Sequence, residues 1–206
     1  MKIRSIALAA IAAASFGAQA APLTTYAPWE VAYTTNGLSG VLFNINTNAN
    51  GAVLALGAHA YKNGVSLANN GTDTFNANSG IYLPDGKSYA NWSFDFGFSL
   101  GNCTSCTVWL GIDKDASAGV DLVFGNVTTF APNPESWNME MGFITAGVYD
   151  FNPYAASSTA FSLQLRDATG AVLTQSDITV NVPEPGSLAL VGLALAGLAA
   201  LRRRKV

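Results

Sequence analysis

Residues 92–100 carry the pattern that most restricts the fold of this chain. Their sequence, WSFDFGFSL, places an aromatic or aliphatic residue at every second position and a small or polar residue between them. Successive side chains of a β-strand point to opposite faces, so this alternation gives one apolar face and one polar face. A helix would distribute the same aromatic residues around its circumference. The segment therefore predicts a strand, with Asp95 on the polar face toward solvent.

Eight further segments have strand character and are separated by turn sequences. The predicted strands lie at residues 29–34, 41–46, 53–61, 108–112, 120–124, 137–144, 161–166 and 172–182. Asn63-Gly64 and Asn70-Gly71 are typical of the turns between them. We find no convincing helical periodicity across residues 21–182. About nine short strands indicate an all-β domain, an antiparallel two-sheet sandwich of either jelly-roll or immunoglobulin-like topology.

The N-terminal residues have the order of a secretory signal peptide. Lys2 and Arg4 precede an apolar stretch at residues 6–16, and Ala18-Gln19-Ala20 follows it. Small residues in this spacing are typical of a cleavage site, which we place between Ala20 and Ala21. Residues 1–20 are therefore predicted to form a signal helix that engages the Sec export machinery and signal peptidase.

The C-terminal residues combine a proline-bounded triplet, an apolar run and a basic tail. Sixteen uncharged residues, 186–201, lie between the triplet and the tail. The triplet is Pro183, Glu184 and Pro185, and the tail is Arg202, Arg203, Arg204 and Lys205. As a helix the run would span about 24 Å, whereas a hydrocarbon core is about 30 Å thick. It predicts a short transmembrane helix with its basic tail on the cytoplasmic side, and an ordinary anchor with a chance triplet is the alternative.

This order resembles the PEP-CTERM sorting signal of Gram-negative bacteria, which an exosortase processes. The resemblance implies an ectodomain at residues 21–182 and a sorting signal at residues 183–206, with processing near the triplet. It implies transient residence in the inner membrane with a periplasmic ectodomain, then the cell surface or the extracellular space. Proteins of this kind accompany exopolysaccharide and biofilm production. The resemblance therefore implies a non-enzymatic surface or extracellular-matrix role, with exosortase and exopolysaccharide as partners.

The predicted ectodomain is acidic. Residues 21–182 hold four basic and twelve acidic residues, a formal charge of −8, whereas the whole chain has −3. A domain with few and scattered positive charges is a poor ligand for nucleic acid or anionic lipid. The composition is compatible with divalent cations and with neutral glycans.

Cys103 and Cys106 form a C-x-x-C sequence between two predicted strands. An exported protein meets an oxidising compartment, which favours a structural disulfide. A redox C-x-x-C commonly lies at a helix N-terminus that stabilises the thiolate, whereas strand-like sequence flanks this one. We therefore predict a disulfide that closes the loop, with free thiols and a redox motif as the alternatives.

Oxygen-bearing side chains alternate along residues 113–121. They are Asp113, Asp115, Ser117 and Asp121. Ca²⁺ prefers several oxygen ligands at short range, which such a loop offers. The loop departs from an EF-hand, because glycine is at position seven and Phe124 occupies position twelve. We interpret it as a solvated hairpin turn, with a weak Ca²⁺ site as the alternative and no other cofactor.

The chain offers few groups for catalysis. His59 is its single histidine, and no G-x-S-x-G sequence accompanies it, so neither a Ser-His-Asp hydrolase nor a usual zinc site is indicated. We predict a non-enzymatic protein. The alternative is an exported carbohydrate-binding or glycan-active protein on the same scaffold. A concave patch of exposed tryptophan and tyrosine near paired carboxylates would favour the alternative, and a convex surface with every tryptophan buried would favour the first interpretation.

Overall fold

The computed structural model describes residues 22–25, 40–115, 119–130, 134–147, 151–184 and 186. Most of these residues lie in or between eleven strands. The strands are β1 (Thr24–Thr25), β2 (Leu42–Thr47), β3 (Val53–Ala60), β4 (Ala68–Asn69), β5 (Thr74–Asn76), β6 (Trp92–Ser99), β7 (Thr107–Asp113), β8 (Leu122–Asn126), β9 (Glu135–Trp137), β10 (Ser157–Arg166) and β11 (Val172–Val182). Two 3₁₀ turns (Leu83–Asp85 and Thr128–Phe130) and one short helix, α1 (Gly142–Thr145), complete the described elements.

Helical structure is scarce among the described residues. In the described ranges, no helix is both long enough and apolar enough to cross a membrane. The predicted signal helix at residues 1–20 lies outside the described residues. So does the predicted transmembrane helix, apart from Gly186.

The strands form two sheets. One has five strands in the order β1-β2-β3-β6-β9, and the other has six in the order β4-β5-β11-β10-β7-β8. Every neighbouring pair in the five-stranded sheet is antiparallel. In the six-stranded sheet β5 is parallel to β11, with Thr74 opposite Thr179. The predicted antiparallel arrangement is therefore wrong at this pair, because β5 is short and pairs with a strand far along the chain.

The two sheets pack face to face across an aromatic core. Alternate residues of β6 point into it, and each is at most 2% exposed: Trp92, Phe94, Phe96 and Phe98. The rings of Phe94 and Phe161 on β10 have centroids 4.4 Å apart, which joins the two sheets directly. Leu54 of β3 and Val180 of β11 belong to the same cluster. This arrangement is that of the two-sheet sandwich that the alternation predicts.

Most predicted strands overlap observed ones, and one prediction is wrong over most of its length. The strand predicted at residues 137–144 ends at Trp137, where β9 stops. The amide N–H of Met141 donates to the Asn138 carbonyl, and the Glu140 N–H donates to the Asn138 side chain at 3.2 Å. These bonds turn the chain toward α1. The segment predicted at residues 29–34 lies outside the described residues.

Candidate functional site

Strand β11 leads directly into the predicted sorting signal. It ends at Val182, which is 2% exposed, and the next two residues, Pro183 and Glu184, are exposed. Val182 pairs with Ser157 of β10, and Asn181 pairs with Asn76 of β5. Proline lacks the N–H that a ladder needs, so strand pairing stops where the triplet begins.

No residue separates the interior strand from the triplet. Because β11 lies between β5 and β10, its last residues are fixed on both sides. The signal therefore starts at a rigid point on the domain surface. Pro185 and the basic residues Arg202, Arg203, Arg204 and Lys205 lie outside the described residues, as do Ala20 and Ala21 of the predicted signal cleavage site.

Comparison with known protein families identifies this segment, because residues 181–205 match the PEP-CTERM protein-sorting motif. The chain carries a PEP-CTERM sorting signal. This match confirms the resemblance and identifies an exported protein that an exosortase processes and sorts to the cell envelope. The match begins at Asn181, so the last two residues of β11 belong to both the folded domain and the PEP-CTERM motif. No curated protein and no solved structure matches the chain.

Cys103 and Cys106 lie at disulfide distance, with their Cα atoms 5.6 Å apart. They lie in the turn between β6 and β7, as predicted. Gly101 precedes them with φ at 57°, and a Cβ there would come within 2.5 Å of the Asn50 carbonyl oxygen. This turn packs closely on the neighbouring β2–β3 turn, and only glycine fits at position 101.

The carboxylates of the 113–121 loop are engaged within the loop. Asp113 is 1% exposed, and its Oδ1 accepts the N–H of Asp121 at 3.2 Å. The Asp121 carboxylate forms an exposed ion pair with Lys114. Ser117 lies outside the described residues, and in the described ranges no three metal-ligating side chains come together. Ca²⁺ binding by Asp113, Asp115, Ser117 and Asp121 stays a prediction.

His59 and Asp95 form a buried polar pair on the outer face of the five-stranded sheet, the face opposite the core. His59 Nδ1 and Asp95 Oδ2 are 2.7 Å apart, and the two residues are 4% and 0% exposed. The prediction that Asp95 faces solvent is therefore wrong. Neighbours on the same face are also buried, among them Ala55 at 0% and Ser93 at 1%.

The sheet register explains how the pair comes together. Gly57 lies opposite Asp95, and His59 lies two residues further along β3, so the two side chains are diagonal neighbours. Phe43 lies beside Gly57 on β2, and a Cβ on Gly57 would come within 2.9 Å of its ring. Glycine at position 57 therefore lets the Phe43 ring lie close to the sheet beside the pair.

Burial controls the electrostatics of this pair. It raises the pKa of Asp95 above the ordinary value, and the neighbouring His59 imidazole and Ser136 hydroxyl oppose that rise. Among the described residues, Asp95 Oδ1 has no hydrogen-bond partner. The carboxylate therefore depends chiefly on His59, with a smaller contribution from Ser136, for compensation of its charge.

A tyrosine cluster lies at the end of the sandwich where β3 stops. Tyr61 makes edge-to-face contacts with Tyr82 and Tyr89, with ring centroids 5.4 and 5.6 Å apart. Partial burial, together with a hydrogen bond to Asp85 and its negative charge, raises the pKa of Tyr61 to about 12. The phenol is thus held in its neutral form by its surroundings.

We expect this phenol to make the protein less stable at alkaline pH. Unfolded Tyr61 ionises near its ordinary pKa of 10.0, whereas the folded residue keeps its proton to about 12. The contribution is fully present below about pH 10 and is lost as the pH rises through the folded pKa. Denaturant unfolding should be measured from pH 10 to about pH 12. The free energy of unfolding should fall less steeply with pH for Tyr61→Phe than for the unsubstituted protein. Asp85→Asn is the matched variant, and an unchanged pH profile in both variants would contradict the assignment.

Proposed function

We propose that this protein is a non-enzymatic component of the cell surface or extracellular matrix, associated with exopolysaccharide and delivered by exosortase. The observation that carries the proposal is the PEP-CTERM motif at residues 181–205, joined without a linker to an interior strand of the sandwich. In this role the folded module itself is the delivered product.

The described tryptophans all pack against other side chains of the domain, which supports a structural role for them. Trp92 is 1% exposed in the core. Trp137 packs among four phenylalanine rings, including Phe130 and Phe143. The Trp109 ring lies 5.0 Å from the Arg166 guanidinium, and its Nε1–H donates to Thr107 Oγ1 at 3.0 Å. Trp92 is thus buried, as the first interpretation requires, whereas Trp109 and Trp137 are half-buried against other side chains of the domain.

The junction at Val182 suits removal of the tail. Residues 186–201 would hold the exported chain in the inner membrane while its exosortase acts near the triplet. Since the β-ladder ends at Val182, cleavage beyond Pro183 removes no residue that pairs in a sheet. The released ectodomain would therefore keep all its described strands.

Mass spectrometry of the exported protein tests this proposal, using a native host with and without its exosortase. We expect the protein from the complete host to lack Leu201, and the protein from the deficient host to retain it in the membrane fraction. Replacing the triplet (Pro183→Ala, Glu184→Ala and Pro185→Ala together) should reproduce the deficient host. Leu173→Ala is the matched control, because it changes an exposed residue at the other end of β11. Recovery of the same C-terminus from both hosts would overturn the sorting mechanism.

A further inference from the structure

A cavity of about 380 Å³ lies between the loop at residues 81–88, the turn after β9 and the segment at residues 151–154. Its apolar lining consists of Ile81, Phe151, Pro153 and Tyr154, and its polar lining consists of Ser88, Glu140 and Asn152. Phe151 is 3% exposed, whereas Tyr154 is 57% exposed. The volume is near the lower end of the range of about 300–1,000 Å³ that small-molecule sites occupy.

Hydrogen bonds between distant segments fix the walls of this cavity. The Gly80 N–H donates to the Pro153 carbonyl at 2.6 Å, which ties the 151–155 turn to the loop that begins at residue 80. A bridge between Ile81 and Ala90 closes that loop at its base. Within the turn, Asn152 Oδ1 accepts the Tyr154 N–H at 3.0 Å. These bonds fix the backbone of the cavity walls, so a ligand would need to order side chains only.

The polar groups offer both donors and acceptors. The Glu140 carboxylate accepts hydrogen bonds, and the Ser88 hydroxyl can donate or accept. Asn152 uses its Oδ1 within the turn, so its amide N–H groups are what it offers a ligand. Donors and acceptors beside the exposed Tyr154 ring match a molecule that has both hydroxyl groups and an apolar C–H surface.

We propose that this cavity binds one sugar unit of a neutral glycan. Glu140 is the charged residue of the lining, and its negative charge disfavours an acidic or phosphorylated sugar. The C–H face of the sugar ring stacks on Tyr154, and its hydroxyl groups bond to Glu140, Asn152 and Ser88.

Hydrolysis of a bound glycan would make a further demand on the lining. Glycoside hydrolysis generally requires two carboxyl groups about 5–10 Å apart across the scissile bond. Of the described residues that line the cavity, Glu140 alone has a carboxylate. The inference concerns binding, and it rests on the proposed matrix role for the source of its glycan.

Saturation-transfer NMR with the full chain in detergent tests the inference. The probes are glucose, galactose, N-acetylglucosamine and, as the acidic comparison, glucuronate, each at millimolar concentration. We expect transfer to at least one neutral sugar and little to glucuronate. Tyr154→Ala should abolish transfer, and Glu140→Gln should weaken binding by about tenfold. Leu83→Ala is the matched control, because Leu83 is 75% exposed on the neighbouring loop and does not line the cavity.

Two results would overturn the site: no transfer from the unsubstituted protein to any neutral probe, or equal transfer from Tyr154→Ala. Thermal unfolding of each variant separates a lost contact from a lost fold. The sorting experiment uses a different readout, the C-terminal mass, so each hypothesis fails independently. Correct processing without sugar binding rejects the cavity alone, and sugar binding without exosortase-dependent processing rejects the sorting mechanism alone.

Discussion

Replacing His59 by alanine is expected to lower the free energy of unfolding by about 3–5 kcal/mol at neutral pH. The substitution removes the imidazole 2.7 Å from a carboxylate that is fully buried. Asp95 Oδ2 would lose this bond, and Oδ1 already lacks a partner among the described residues. The cost arises mainly because an uncompensated charge stays buried, so it exceeds that of an ordinary lost hydrogen bond.

The pH dependence of the stability lost in His59→Ala tests whether the loss is electrostatic. Burial raises the pKa of Asp95 and His59 lowers it, so His59→Ala should raise that pKa further. A carboxyl group with a raised folded pKa contributes stability below its unfolded pKa, about 4, and loses it as the pH rises through the folded value. The difference between His59→Ala and the unsubstituted protein should therefore shrink toward pH 4.

Matched variants complete the test of this pair. Asp95→Asn removes the charge and keeps an acceptor, so its stability should depend less on pH between about 4 and 7. The double variant His59→Leu, Asp95→Leu should be less destabilised than His59→Ala, because it leaves no buried charge. Denaturant unfolding of all four proteins provides the comparison. Equal losses for His59→Ala at pH 4 and at pH 7 would contradict the electrostatic explanation.

Asn138→Ala is expected to cost about 3 kcal/mol or more, the second largest effect. Asn138 is 0% exposed, and its Nδ2 donates to the Trp92 carbonyl at 2.7 Å and to the Ala90 carbonyl at 3.0 Å. Its Oδ1 accepts the N–H of Ala90 at 3.1 Å and that of Glu140 at 3.2 Å. Alanine would leave these backbone groups without this partner, at about 1–3 kcal/mol for each buried group left unsatisfied.

The control for Asn138 is Asn63→Ala. Asn63 Oδ1 accepts a single N–H, that of Val65, at 3.0 Å in an exposed turn, so its loss should cost less than about 1 kcal/mol. Thermal unfolding of both variants gives the comparison. Similar losses in the two proteins would show that Asn138 does not link β6 to the turn after β9. Since this turn also positions Glu140, Asn138→Ala should weaken sugar binding as well.

The period-two pattern of β6 predicts part of the structure well. It gives the strand and identifies Trp92, Phe94, Phe96 and Phe98 as core residues, as observed. The same pattern wrongly predicts that Asp95 faces solvent. Alternation shows that the two faces of a strand differ, but it does not show whether other parts of the chain cover the polar face. Polar residues on a strand are usually solvated, and here the outer face is buried too.

Features that depend on distant segments escape the sequence. The parallel pairing of β5 with β11 joins a three-residue strand to one late in the chain, and no local pattern predicts such a partner. The cavity is assembled from residues near positions 81, 140 and 152, each of which is unremarkable alone. The sorting signal is the opposite case, because all its information lies in one continuous segment that can be read directly.

The position of β11 determines when this domain can finish folding during export. The strand made last is an interior strand of the six-stranded sheet, so β5 and β10 lack their shared neighbour until residue 182 emerges. The sorting segment follows this strand directly. Under the proposed sorting mechanism, closure of the six-stranded sheet would therefore coincide closely with emergence of the sorting segment.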